Sequence, residues 1–265
     1  LLNKEFYERQ EPYKKFPVAS KPGNRVRRIW KGITFVNHCF KNYKIVEFEH
    51  KLQPKPSFIW YQIKGFLLKF LFRITEYKLK KKCFLGAPFF VVILQVSRDS
   101  QLIMGSNFKD NYEFIEKVIR SFSEANLNNV NLIFKHHPRD RGYNNYYRYI
   151  QNKKIHYRVT KNVFYIHDCY LSKVFKNPNC IGTVLINSTV GYQSLYHSIP
   201  VKSFGKSPFN IEGLTDQNSL ISFFRNPSQV NRLLFNKFYR YVIENSQING
   251  NFDGHFPFNE IFIFE

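Results

Sequence analysis

NLIFKHHPRDRG, residues 131–142, is the stretch that decides the fold class of this 265-residue chain. Its apolar start is typical of a buried β-strand. Lys135, His136 and His137 follow, and Pro138 ends the strand because proline cannot donate a backbone hydrogen bond. Cationic residues therefore lie at the carboxyl end of a strand, where open α/β sheets bind ligands. Such residues favour an anion such as a nucleotide phosphate, although a solvated basic turn is the alternative.

Apolar runs and helical periodicity alternate on both sides of this stretch. The predicted strands are 89–96, 131–134, 163–166, 183–186 and 200–204, and the predicted helices are 112–125, 143–152, 171–175 and 190–197. Strands that alternate with helices at this spacing predict a parallel sheet covered by helices. The sequence therefore predicts an α/β fold with a Rossmann-like parallel sheet.

Polar side chains follow four of the predicted strands, at the point where each strand ends. In chain order they are Asp99, Lys135 with His137, His167 with Asp168, and Asn187 with Ser188 and Thr189. Because the carboxyl ends of parallel strands share one edge, we expect these groups to converge around a phosphate-containing ligand. Helix capping remains the alternative for Asp99, Ser188 and Thr189, and a local turn remains the alternative for His167.

The net charge of +21 is concentrated in the first third of the chain. Residues 1–85 hold 20 Lys and Arg against 6 Asp and Glu, whereas the remaining residues hold 20 against 13. A basic, aromatic region of this kind suits nucleic acid, an anionic membrane surface or an acidic polymer. A drift of the composition toward Lys, Asn, Phe and Tyr is the alternative.

Residues 58–82 predict an amphipathic helix, because apolar side chains recur there at three- and four-residue steps. Lys64, Lys69 and Arg73 lie between them. The helix is either buried against the domain or placed on an anionic membrane with its lysines at the headgroups. Residues 1–57 contain five prolines and predict largely irregular structure.

The composition also excludes several classes of protein. The four cysteines, Cys39, Cys83, Cys169 and Cys180, are far apart and form no CxxC pair, which indicates reduced thiols and no zinc site. No apolar run of about 18 residues predicts a membrane-spanning helix, and no signal peptide is visible. No nucleic-acid-binding motif is present, so we expect no nucleic-acid partner.

Five short motifs occur in a characteristic order. They are LQVSRDSQ (94–101), FKHHPRDRGY (134–143), YIHD (165–168), INSTVGYQSL (186–195) and GLT (213–215). Over residues 84–252 they resemble the KpsS-type capsule polysaccharide biosynthesis and export proteins, which are related to the Kdo-transferring capsule synthases.

The resemblance implies a GT-B glycosyltransferase whose nucleotide-binding half is residues 84–252. Residues 1–83 would be the basic linker and helix at the end of the acceptor half, and residues 253–265 would be an atypical tail. The chain begins with Leu1, and we expect the family's acceptor domain to lie upstream of it. We therefore expect these residues by themselves to bind donor and to transfer sugar poorly.

The resemblance also implies an activity. The family transfers Kdo, with retention, from CMP-Kdo to a phosphatidylglycerol-type lipid at the inner face of the bacterial inner membrane. Lys135 and His137 would neutralise the departing CMP phosphate, and Ser188 and Thr189 would donate hydrogen bonds to it. Asp99 would attack the anomeric carbon.

The other residues assigned to substrate binding are Gln95, Pro138, His167 and Asn187. The expected partners are the nucleotide-sugar donor, the anionic lipid acceptor, the membrane surface and other capsule synthesis or export proteins. No metal and no cofactor beyond the CMP-Kdo substrate is expected. The alternative is a non-catalytic component of capsule export that binds membrane or polysaccharide.

Overall fold

The computed structural model describes residues 3–9, 56–97 and 99–246. Five strands form one sheet in the order β3-β2-β1-β4-β5, and every neighbouring pair is parallel. The strands are β1 (Phe89–Ile93), β2 (Asn131–Lys135), β3 (Val163–Ile166), β4 (Cys180–Leu185) and β5 (Val201–Ser203). The predicted α/β fold with a Rossmann-like parallel sheet is confirmed.

Helices connect the strands and cover both faces of the sheet. They are α1 (Lys4–Glu8), α2 (Pro56–Thr75), α3 (Tyr77–Leu85), α4 (Ser100–Met104), α5 (Asn111–Ala125), α6 (Tyr147–His156), α7 (Leu171–Phe175), α8 (Val190–Tyr196), α9 (Leu220–Arg225) and α10 (Arg232–Ser246). A 3-10 turn, Pro138–Asp140, follows β2.

The central strand β1 is apolar throughout because both of its faces are buried. Successive strand side chains point to opposite faces, so Phe90 and Val92 pack in the layer that contains α5 and α9. Phe89 and Val91 pack in the opposite layer, with α7, α8 and α10. A continuous apolar run, in place of alternation, is what a parallel strand covered on both faces requires.

Two predicted boundaries near the site were wrong. The strand predicted to reach residue 96 ends at Ile93, because the backbone N–H of Gln95 donates to the Asn111 side chain at 3.3 Å and no longer pairs with a strand. The helix predicted at 143–152 occupies Tyr147–His156, because the residues before it wrap around the buried side chain of Asp140.

The predicted helix over 58–82 is present but is divided at Glu76, between α2 and α3. The irregular structure predicted for residues 1–57 was wrong at Lys4–Glu8. This short helix is capped by Asn3 and packs Tyr7 against Phe238 of α10, with ring centroids 4.9 Å apart.

Other expectations fall on residues 10–55, Arg98 and residues 247–265, which lie outside the described residues. The division at residues 83 and 252 stays a prediction. In the part of the chain that the structure describes, no helix is both long enough and apolar enough to cross a membrane.

Candidate functional site

The order of the strands reverses between β1 and β4, and this reversal defines the crevice where ligands of open α/β sheets bind. Gln95 follows β1 and Asn187 follows β4, and the side-chain amide of Gln95 donates to the side-chain oxygen of Asn187. Asn187 in turn donates to the carbonyl of Gln101 at 2.8 Å. Two residues predicted from the sequence therefore meet at the reversal.

A buried carboxylate, Asp140, joins the loops that follow β1 and β2. It accepts hydrogen bonds from the backbone N–H and the hydroxyl of Ser97, at 3.1 and 2.9 Å, and from the Tyr146 hydroxyl at 3.3 Å. Arg141 beside it lies 3.5 Å from Asp168, on the loop after β3. These contacts fix the shape of the edge, and the sequence analysis did not assign Asp140 or Arg141 to the site.

His137 lies at the start of the 3-10 turn, where its Nδ1 accepts from the backbone N–H of Arg139 at 3.2 Å. Burial lowers the pKa of His137 below its ordinary value and the positive charge of Lys135 lowers it further, while the negative charge of Asp140 and, to a smaller extent, that of Asp99 oppose the change. A neutral imidazole that accepts at Nδ1 carries its proton on Nε2. His137 is therefore suited to donate a hydrogen bond from Nε2 to an anion.

Lys135 is a buried residue at the end of β2, and its ammonium donates to the carbonyl of His136 at 2.9 Å. Burial is the main cause that lowers its pKa, while the charge of Asp168 and a negatively charged Cys169 would raise it. The side chain of Lys135 is thus buried at the carboxyl end of β2.

The imidazoles of His136 and His167 form a tilted pair, with ring centroids 5.3 Å apart. His136 contacts the hydroxyl of Tyr165 through Nδ1 at 2.8 Å, and burial and the neighbouring His167 lower its pKa to about 3. His136 is therefore neutral at ordinary pH. The Nε2 atoms of both imidazoles are buried and have no hydrogen-bond partner among the described residues.

His167 is held by a residue 91 positions away in sequence. Glu76 accepts from the backbone N–H of His167 at 3.0 Å and contacts its Nδ1 at 2.5 Å, while the ring of Phe72 stacks on the imidazole with centroids 3.6 Å apart. The local turn that was the alternative for His167 is therefore not what orients its ring. Burial alone would raise the pKa of Glu76, but the hydrogen bonds and charge of His167, together with Lys80, lower it.

The capping alternatives are observed at two of the predicted residues. Asp99 accepts from the backbone N–H of Gln101 at 3.0 Å and so caps α4. The hydroxyl of Ser188 accepts from the backbone N–H of Val190 at 3.3 Å. Thr189 is exposed, and its side chain makes no capping bond to α8. Pro138 is exposed at the start of the 3-10 turn.

Two site residues, Glu76 and Asp140, were not predicted from the sequence because their hydrogen-bond partners are distant in sequence. Glu76 and Asp140 organise the edge through bonds to His167 and Ser97. A signal for Glu76 was available, since it is the one acidic residue in the basic stretch 58–85. Across residues 3–9, 56–97 and 99–246, no group of three or more His, Cys, Asp or Glu side chains is placed to hold a metal ion.

A family model described as "Capsule polysaccharide biosynthesis protein" matches residues 37–253 of this chain. The chain belongs to this family. The resemblance proposed from the five sequence motifs is thereby confirmed.

Two curated relatives from the capsule polysaccharide family illustrate the relationship. The capsule polysaccharide modification protein LipB of Neisseria meningitidis serogroup A is 34% identical over an alignment of 228 residues that covers 83% of this chain and 53% of LipB. The capsule polysaccharide export protein KpsS of Escherichia coli is 30% identical over an alignment of 209 residues that covers 77% of this chain and 53% of KpsS. The chain spans about half the length of the curated relatives it matches.

Among solved structures, the chain is similar to the β-Kdo 2,7 transferase KpsC of Thermosulfurimonas dismutans. The TM-score is 0.35 and the sequence identity is 16%, over 58% of this chain and 54% of KpsC.

Proposed function

We propose that this capsule-family chain holds the donor-binding site of a GT-B-type glycosyltransferase that transfers Kdo from CMP-Kdo to a phosphatidylglycerol-type lipid, with retention. One observation carries the proposal. Asp99, on the loop after β1, caps α4, and His137, on the loop after β2, begins the 3-10 turn, so both lie at the carboxyl edge of the sheet. A carboxylate and a hydrogen-bond donor thus share the edge where a sugar phosphate would bind.

The donor phosphate would lie beside His137, whose Nε2–H is free to donate while Nδ1 is occupied by Arg139. The ammonium of Lys135, buried at the same edge, would contribute positive charge as negative charge develops on the departing CMP. The hydroxyls of Ser188 and Thr189 would complete the set of donors. Gln95 and Asn187 would form the floor of the crevice through their side-chain hydrogen bond.

Retention of configuration would come from two displacements. The Asp99 carboxylate would attack the anomeric carbon of Kdo, and the bond to the phosphate oxygen would break with its electron pair leaving on CMP. A hydroxyl of the acceptor lipid would then attack the same carbon from the opposite face. That step would release Asp99 as a carboxylate and transfer the hydroxyl proton to a base.

The lipid acceptor would place the protein at the inner face of the bacterial inner membrane, on the cytoplasmic side, beside other capsule synthesis or export proteins. The family is named for capsule polysaccharide biosynthesis, and its relatives LipB and KpsS are named for modification and export. A second candidate function is therefore a non-catalytic export component that binds membrane or polysaccharide.

Isothermal titration calorimetry with CMP separates the two candidates. A transferase that uses CMP-Kdo binds CMP because the nucleotide is its product, and we expect saturable binding. UMP serves as the matched control nucleotide, with weaker binding expected. Absence of CMP binding by a folded protein would remove the transferase proposal and leave the export component.

A further inference from the structure

Helix α2 presents two different faces, and its inner face is docked on the candidate site. Tyr61, Gly65, Phe72 and Glu76 recur at the spacing of one helical face. The ring of Tyr61 stacks on Tyr143 with centroids 4.5 Å apart, and Phe72 and Glu76 hold His167 as described above. Gly65 lies against Gly142, and a side chain at Gly142 would collide with the carbonyl of Tyr61.

The outer face of α2, continued by the first residue of α3, is a stripe of large apolar side chains. We call these eight residues the outer stripe: Trp60, Ile63, Phe66, Leu67, Phe70, Leu71, Ile74 and Tyr77. Each of them is between 48% and 76% exposed. Soluble proteins seldom expose a contiguous apolar surface of this kind unless it binds something. The buried-helix interpretation of this segment therefore fails for its outer face.

The borders of the outer stripe are basic. On a helical wheel Lys64 lies on one border and Lys69 and Arg73 lie on the other, and all three are exposed. Three more exposed lysines follow in α3, namely Lys78, Lys81 and Lys82. The one carboxylate in this stretch, Glu76, is buried against His167 and does not offset their charge at the surface.

We propose that the outer stripe binds an anionic lipid surface, with α2 lying in the plane of the membrane. Its 20 residues extend about 30 Å, so one helix offers a long contact parallel to the surface. Apolar side chains flanked by Lys and Arg match the boundary between acyl chains and anionic headgroups. A protein partner would need acidic residues on both borders of an apolar groove, whereas any anionic lipid surface offers negative charge along both borders of the helix.

The position of α2 gives this contact a consequence for the candidate site. Its inner face touches Tyr143 and His167, on the loops after β2 and β3. Membrane contact through the outer stripe would therefore hold the carboxyl edge of the sheet close to the lipid. This last step rests on the proposed lipid acceptor, whereas the binding itself does not.

Vesicle sedimentation with the whole chain tests the proposal without donor or acceptor turnover. We expect binding to vesicles of phosphatidylcholine mixed with phosphatidylglycerol, and much weaker binding to phosphatidylcholine alone. The variant Phe70→Ser with Ile74→Ser should bind at least tenfold more weakly, because apolar contact with the acyl boundary is lost. The matched control is Ile155→Ser with Leu233→Ser, two similarly exposed apolar residues on other helices, and it should bind as the unmodified protein does.

A second pair of variants tests the charge. Lys69→Gln with Arg73→Gln should weaken binding roughly ten- to thirtyfold at low salt, since each basic residue near an anionic surface contributes a factor of about five. The control Arg148→Gln with Lys161→Gln removes the same charge from exposed positions outside α2. Added salt should release the unmodified protein by screening.

Three results would overturn the inference. One is no binding to the anionic vesicles, and another is equal loss of binding in the stripe variant and its control. The third is a change of mass in light scattering, or a fall in the thermal midpoint, that is confined to the stripe variant. That result would show that a second copy or another segment of this chain covers the stripe. Because no nucleotide is present, each of these results leaves the transferase proposal standing.

Discussion

Glu76, at the break between α2 and α3, holds both the backbone and the side chain of His167. Its carboxylate accepts from the backbone N–H at 3.0 Å and lies 2.5 Å from Nδ1. Both side chains are buried, so the pair forms away from bulk water. The carboxylate thus fixes the position of the imidazole, whose Nε2 is buried and has no hydrogen-bond partner among the described residues. Glu76 therefore fixes His167 from the junction of α2 and α3.

We expect Glu76→Gln to lower the free energy of unfolding by about 1.5–3 kcal/mol, the usual size of a hydrogen bond to a charged group. Urea unfolding followed by circular dichroism measures the change. Glu244→Gln is the matched control, since this exposed carboxylate pairs with Arg240 within one helix, and its loss should cost less than about 1 kcal/mol. Equal losses in the two variants would show that the buried pair of Glu76 and His167 stabilises the protein no more than an exposed ion pair does.

Acid should destabilise the protein through His136. Its pKa is about 3 in the folded protein, against an ordinary value of 6.5, because it is buried. At pH values between these two pKa values, His136 is protonated in the unfolded chain and neutral in the folded protein. The free energy of unfolding therefore falls as pH falls. The slope is up to about 1.4 kcal/mol per pH unit. Glu76, whose folded pKa is also lowered, acts in the same direction at pH values below its ordinary 4.5.

Urea unfolding between about pH 7 and about pH 4 measures this dependence. His136→Gln should flatten the curve, since glutamine does not titrate. His156→Gln, at an exposed histidine on α6, is the control and should leave the slope unchanged. An unaltered slope in the His136 variant would assign the acid sensitivity to other groups.

The parts of the fold that could be predicted from the sequence are those set by local pattern. The continuous apolar run of β1 and the polar residues after each strand predicted a parallel sheet with a polar edge, and Gln95 does meet Asn187 there. Polar groups at strand ends are informative because the topology itself brings them together.

The remaining details depend on contacts between distant residues, for which the sequence carries no local signal. Periodicity predicted one helix across Glu76, because helical spacing continues through it, and the sequence carries no local signal of the bond from Glu76 to His167. The charge of His137 is a similar case. Its basic neighbours suggested a cation, whereas burial in the folded protein lowers its pKa and favours the neutral donor.

We expect His137→Ala and Ser188→Ala each to weaken CMP binding by roughly ten- to a hundredfold, the equivalent of one charge-assisted hydrogen bond. Calorimetry measures the affinity, and the thermal midpoint should change little because each side chain supports only a short turn or helix start. His156→Ala is the control on an exposed surface. If a variant lowers the thermal midpoint and leaves the affinity of the folded protein for CMP unchanged, the substituted residue is a structural cap and does not bind the nucleotide.

The sharpest prediction concerns Asp99, which caps α4 and which we propose as the nucleophile. It caps α4 by accepting from the N–H of Gln101, and asparagine fills an N-cap position about as well as aspartate. Asp99→Asn should therefore keep the fold and the affinity for CMP. It should lose all attack on the anomeric carbon, because the neutral amide is not a nucleophile for this displacement.

Intact-mass analysis of the protein mixed with CMP-Kdo, without acceptor, distinguishes these roles. The unmodified protein should gain the mass of one Kdo residue, and peptide mapping should place it on the peptide that contains Asp99. Asp110→Asn is the matched control, because Asp110 also caps a helix, α5, by accepting from the N–H of Glu113 at 3.0 Å. The control should form the adduct normally, and the Asp99 variant should form none. An adduct of equal yield in the Asp99 variant would leave Asp99 as a cap alone, since the covalent bond would then lie on another residue.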